Sequence, residues 1–259
     1  MINMPRVCEL YEYLNSKFPT LFSCEWDNDG LMLADDPDRE VVRVLCTLDV
    51  TDEAINYAVE HSYDVIVSHH PMIFKPLKSV SYADPVGRKV MRLLKHKISV
   101  MSFHTRLDAA PGGLNDVFAN LLGLTEVALL ESDGEAIGRI GTLPFAQSCA
   151  EFAALVKKTV SAERVLFAEA SGAVRRVAIC GGDGKDFVKA AKLAGADSYL
   201  TGQLSYNIME EASGIGLNLF EAGHFATEDF ICSYLTLLIL KKFTQVQTGY
   251  FNSNNIKAI

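Results

Sequence analysis

Three short apolar runs in this chain stop abruptly at histidine, and that repetition constrains the fold more than any other feature. The first, Asp64-Val65-Ile66-Val67, ends in Ser68, His69, His70 and Pro71. The second, Ile98 to Phe103, runs into His104, with Asp108 shortly after; the third, Leu217 to Phe220, passes through Glu221 to His224, with Glu228 four residues on. Short apolar runs bounded by turn formers read as buried strands. In an α/β protein the carboxyl end of a parallel strand opens into a crevice that neighbouring loops can reach, so residues just past such strands are placed for chemistry. The chain has six histidines, and four of them (His69, His70, His104 and His224) follow apolar runs in this way.

At 259 residues, 49% of them apolar, the chain is long enough for one large core or two modest ones. Its net charge of -8 disfavours a general affinity for phosphate backbones or anionic membranes. The best candidate for a membrane span, Tyr234 to Leu240, stops at Lys241-Lys242, short of what a bilayer requires. The amino terminus shows no basic segment followed by an apolar core and a small-residue cleavage site, so no export signal is expected, and the six cysteines show no close CxxC spacing, several lying inside apolar runs. A cytoplasmic protein with reduced, mostly buried cysteines is expected.

Between the histidine stretches, strand and helix patterns alternate. A helix is expected over Arg6 to Lys17, a strand over Val41 to Leu48, and a helix over Asp52 to Glu60 capped by Thr51. The strand into Ser68 completes a crossover unit. A helix over Val86 to His96, the strand into His104 and a helix over Leu114 to Leu122 repeat the logic. Further on the pattern gives a strand at Ile137 to Leu143, a helix at Phe145 to Thr159, strands at Val165 to Ala168 and Val174 to Cys180, and a helix at Phe187 to Leu193. A strand at Asp197 to Leu200, a helix at Leu204 to Glu211, the strand at Leu217 and a long apolar helix from Phe225 to Lys242 complete the chain. The acidic stretch Glu25 to Leu31, with the sole tryptophan, reads either as a loop with one aromatic anchor or as a neighbour of a site. The expectation is two α/β lobes of similar size, residues 1–130 and 131–259, with the site in the cleft between them and the C-terminal helix packing back toward the first.

His69, His70, His104, Asp108, His224 and Glu228 together offer six nitrogen and oxygen donors. Imidazole and carboxylate mixtures suit zinc, iron, manganese, cobalt or nickel. Six ligands exceed what one ion needs when water must also bind, whereas two ions about 3.5 to 4 Å apart, sharing a carboxylate and a water, would use them all. The competing reading of an adjacent histidine pair is a polar loop that merely faces solvent, which the other two stretches weaken. His61 and His96, at helix ends, are read as structural. Gly181-Gly182-Asp183-Gly184 lacks the lysine-serine or lysine-threonine end of a P-loop and is read as a tight turn, leaving Lys185 as a candidate substrate contact. Ser68 lacks the glycine-flanked elbow of a serine nucleophile.

The chain resembles the Nif-three-like family of dinuclear metal centre proteins, whose bacterial members carry the label GTP cyclohydrolase 1 type 2 homolog. The resemblance rests on Trp26-Asp27-Asn28-Asp29-Gly30-Leu31, Ser68-His69-His70-Pro71 with Ile73-Phe74, and His104-Thr105 with Leu107-Asp108-Ala109-Ala110. It continues through Gly112-Gly113-Leu114-Asn115-Asp116, Gly181-Gly182, Thr201-Gly202, Gly223-His224 and Thr227-Glu228, in order along nearly the whole chain. It implies a two-lobed protein assembling into a toroidal hexamer, with two divalent ions per subunit held by His69, His70, His104, Asp108, His224 and Glu228. The activity it implies is hydrolytic opening of a nucleotide base ring; the alternative class is a non-catalytic metal-binding scaffold, metal store or interaction module.

Two departures stand out. Where relatives continue from threonine-glycine into glutamate and paired histidines, this chain has Gln203 and then Tyr206-Asn207, which cannot serve as a general base near neutrality. Arg106 stands where relatives commonly have asparagine. Arg106, Lys185 and Gln203 are the candidate substrate contacts.

Overall fold

The computed structural model describes residues 4–170 and 172–257. Eleven strands occur among them: β1 (Gly30–Leu33), β2 (Arg43–Thr47), β3 (Val65–Ser68), β4 (Ser99–Ser102), β5 (Thr125–Ser132), β6 (Glu135–Gln147), β7 (Leu166–Ala168), β8 (Val174–Cys180), β9 (Ser198–Thr201), β10 (Asn218–Glu221) and β11 (Gln247–Phe251). They form one five-stranded sheet in the order β1-β4-β3-β2-β11 and one six-stranded sheet in the order β5-β6-β8-β9-β10-β7.

The protein is mixed α/β and divides into two compact units. The first runs up to Leu107 and resumes from Ile231 to Lys257; the second covers Asp108–Phe230. The change of unit thus falls at Leu107/Asp108 and is reversed at Ile231, where the sequence pattern placed a single change near residue 130. The physical reason is strand pairing: β11, from the end of the chain, lies parallel to β2, whereas β5 pairs with β6 in the other sheet.

In the first unit β2, β3 and β4 are mutually parallel, and β3 and β4 are buried at every position. Strands covered on both faces have no need to alternate, which is why they read as continuous apolar runs. Leu45, Ile66 and Val100 meet Ile55, Ala58, Val90 and Leu93 in one core. The helices that supply those contacts start where side chains cap them. Thr51 accepts from the Ala54 amide, and Asp84 accepts from Gly87 with Pro85 in the first turn. His61 and His96 sit at the C-terminal ends of these two helices, where the sequence pattern put them.

The second unit has a core around Phe118, Phe152, Val177, Leu200 and Phe220. β6 is longer than its pattern implied, pairing with β8 as far as Gln147, so the next helix begins at Cys149 instead of Phe145. Ser148 sets that start through a reciprocal capping box with Glu151. The apolar stretch from Phe225 to Lys242 is two helices, His224–Glu228 and Phe230–Lys242. No helix among the described residues is long and apolar enough to cross a membrane.

Candidate metal centre

Register brings the first histidines together. Thr47 pairs with Ser68 and Ser68 with Ser102, so the three parallel strands end level with one another. The loops after these strands therefore leave the sheet at the same edge, carrying Asp49 after β2, His69 and His70 after β3, and His104 after β4. Antiparallel β1 contributes from the opposite direction, since its first residue, Gly30, pairs with Ser102 and delivers Asp27 and Asp29 to that same edge.

Each imidazole is oriented through its Nδ1. That of His69 lies 2.8 Å from the Phe103 carbonyl, that of His70 2.8 Å from Asp49 Oδ1, and that of His104 2.9 Å from Asp27 Oδ1. A carbonyl only accepts, so His69 Nδ1 carries the hydrogen and the neutral ring keeps its lone pair on Nε2. Carboxylate partners do the same for His70 and His104, which is the arrangement that fixes the tautomer of metal-binding histidines. One nitrogen from each of His69, His70 and His104 falls within 4.8 Å of the others. Ser68 serves the turn: its hydroxyl donates to the His70 carbonyl at 2.8 Å and lies 2.8 Å from Ser102 Oγ.

Asp27 is held as an anion. Burial works against its charge, but the His104 ring and the hydroxyl and amide of Thr105 outweigh it and keep the carboxyl at about 2. Neither Asp27 nor Asp49 stands out in the sequence as a partner of histidine. The available signal for Asp49 was that it follows a strand in the same way as the histidines do; for Asp27 it was the acidic stretch around Trp26, which does not name His104 as the partner because the contact spans 77 positions.

The second unit repeats the construction. β8, β9 and β10 are parallel, and Cys180, Thr201 and Glu221 lie in register at their ends. Over these ends sits the short helix His224–Glu228, with His224 Nε2 3.1 Å from Glu228 Oε2. Thr227 fastens it: its Oγ1 accepts the Gly182 amide at 3.1 Å. Gly182 has a φ of +65°, and a Cβ there would collide with the Glu228 carboxylate, so the glycine pair is a close-approach turn that leaves room for that side chain. Asp108, almost fully buried, belongs to the helix Thr105–Ala109, and its carbonyl accepts from Asn115, which also receives the Gly181 amide.

The candidate substrate contacts fare differently. Arg106 is fully buried: it forms a two-pronged pair with Asp29 and donates to Asn15 and the Phe18 carbonyl. Its charge is neutralised within the fold, which corrects the reading of Arg106 as a substrate ligand. Lys185 is exposed and paired with Asp183 at 2.6 Å. Gln203 is exposed in the turn after β9.

The family described as Duf34/NIF3 (NGG1p interacting factor 3) matches residues 5–256. The chain belongs to this family. Among Duf34/NIF3 relatives, the GTP cyclohydrolase 1 type 2 homolog of Streptococcus pneumoniae is 34% identical over 227 residues, covering 85% of either chain. That of Clostridium perfringens is 33% identical over 208 residues, covering 78% of this chain and 79% of its own. A Staphylococcus aureus protein of known structure superposes with a TM-score of 0.89 at 25% identity, over 98% of this chain and 99% of its own. A Bacillus cereus protein related to NIF3 shares the fold with a TM-score of 0.88 at 21% identity, over 99% of this chain and 100% of its own.

Proposed function

We propose that this Duf34/NIF3 protein binds two divalent metal ions per chain and acts as a metal-dependent hydrolase on a nucleotide or a related phosphorylated or heterocyclic compound. The residues that would hold them are His69, His70, His104, Asp108, His224 and Glu228. The observation that carries the reading is the clustering of three histidines whose Nδ1 atoms are all occupied by fixed acceptors. Such anchoring costs side-chain freedom and is what a metal-binding ring requires. The donor set suits zinc, iron, manganese, cobalt or nickel. The relatives' label, GTP cyclohydrolase 1 type 2 homolog, is in keeping with hydrolysis of a base ring. A homohexamer in the cytoplasm completes the proposal.

When bound, divalent ions supply Lewis acidity and an activated water for hydrolysis. The chain's own part is to hold the donors. Phe103, Asp49 and Asp27 keep three imidazole Nε2 atoms as acceptors, and the Gly182 and Thr227 contacts set the direction of Glu228. A scaffold or metal store is the second reading, favoured by Gln203: no titratable group stands at that position of the turn after β9.

Elemental analysis of the purified protein is expected to give two ions per chain, and the H69A and E228A variants to lose metal while remaining folded. Metal-replete protein is then incubated with purine nucleotides and followed by purine absorbance and by formate or phosphate release. Fewer than one ion per chain removes the metal reading. Full metallation with no turnover, equal to that of H224A, leaves the scaffold reading in its place.

A further inference from the structure

Two large aromatic residues stand exposed beside the first histidine cluster. Trp26 is 55% exposed and Phe74 45% exposed, although single exposed aromatics of this size cost apolar hydration. They come from loops far apart in sequence, and a hydrogen bond from Asn28 Nδ2 to the Ile73 carbonyl ties one loop to the other. Their rings are edge-on to one another, with centroids 6.2 Å apart at 68°. Both are also edge-on to His104: Trp26 at 6.2 Å and 78°, Phe74 at 6.4 Å and 88°. Three rings thus form a corner whose inner wall is a proposed metal ligand and whose other two walls face solvent.

From this geometry we infer that Trp26 and Phe74 are positioning residues that receive a planar heteroaromatic ring of the substrate. The inference rests on the hydrolase reading and narrows it. A ring laid face to face on Trp26 takes up Trp26's own orientation, so it meets Phe74 and His104 close to perpendicular, which is the favoured edge-to-face geometry. Stacking tolerates any base, because each presents a π-face, and it needs no phosphate contact. With Arg106 buried and committed to Asp29, the cation next to His104 in sequence does not stand ready for a phosphate, so the ring is the handle by which the substrate is oriented. It also places the bond to be broken on or next to the ring, not on a distant phosphoryl group.

Trp26 is the only tryptophan in the chain, so its emission reports directly on the corner. Metal-replete full-length protein is titrated with guanosine, guanosine monophosphate and ribose 5-phosphate, with parallel calorimetry. Guanosine and its monophosphate are expected to quench Trp26 saturably and ribose 5-phosphate to leave it unchanged. By calorimetry W26F should bind guanosine within about twofold of the parent, whereas W26A and F74A should bind about five- to tenfold more weakly with metal content unchanged. Equal binding of guanosine and ribose 5-phosphate overturns the inference, as does W26A or F74A binding guanosine like the parent, or no binding of any probe to metallated protein. A W26A or F74A variant that changes its sedimentation behaviour also overturns it, by assigning the corner to contact with a second copy. Quenching by guanosine without any turnover leaves the ring subsite standing and removes only the hydrolase reading, so the two failures are distinguishable.

Discussion

Replacing Asp29 with asparagine tests what Arg106 is for. The change keeps the side-chain shape and deletes the negative charge facing a guanidinium with no exposed surface. In the native protein Arg106 Nε and one terminal nitrogen donate to the two oxygens of Asp29 at 2.9 and 2.7 Å. The other terminal nitrogen donates to Asn15 Oδ1 at 2.8 Å and to the Phe18 carbonyl at 3.3 Å, and the guanidinium lies 5.1 Å from the Phe103 ring centre. Burial alone would lower the pKa of Arg106, but Asp29 more than compensates and raises it. Asp29 also accepts from Ser23 Oγ and from the His104 amide, so the pair joins the acidic loop to the end of β4.

Breaking a buried, hydrogen-bonded pair from one side costs about 3–5 kcal/mol, because the remaining charge is left without compensation. Asparagine retains one carbonyl acceptor, which favours the lower end, about 3 kcal/mol. At about 2–4 °C per kcal/mol for a chain of this size, D29N should melt roughly 6–12 °C below the parent. Urea unfolding followed by Trp26 emission is the assay, since that reporter sits in the same loop as Asp29. A loss under about 1 kcal/mol, the range of an exposed pair, would refute the reasoning. So would an R106K variant of unaltered stability that had lost affinity for phosphate-bearing ligands, which would return Arg106 to substrate recognition.

Asp49→Asn removes the charge that orients His70, and metal affinity measured by competition with a chelator should fall about 10- to 100-fold while the melting temperature of the metal-free protein changes little; unchanged affinity would show that His70 needs no such support. Burial pushes the Cys46 thiol up to about 12, against a smaller lowering by Thr236, so at pH 9 it remains protonated and inert. Mass spectrometry after iodoacetamide treatment of native protein should find label on partly exposed Cys8 and Cys24 and none on Cys46, Cys149, Cys180 or Cys232 until urea is added; rapid labelling of Cys46 in the native state would contradict its burial.

Much of the architecture was legible because it rests on local pattern. A buried parallel strand such as β3 announces itself as an apolar run, and helices such as Asp52–Glu60 as a cap followed by periodic burial. His69, His70, His104 and His224 were legible for the same reason, since each comes soon after a strand. Short or exposed strands escaped: β5 is exposed at most positions and carries no alternation to read, and β1 and β11 gain their identity only from the neighbours they pair with. Tertiary structure alone decided the rest. Asp49 reaches His70 across 21 positions and Asp27 reaches His104 across 77, separations that leave no periodic trace in the chain. Arg106 looked like a cation beside a site, and only the register of β1 against β4, which brings Asp29 to it, turned that cation into part of the core. Residue type determined which groups were able to bind a metal or carry a charge; strand register determined which partner each one met, because pairing brings together segments whose sequences are independent of one another.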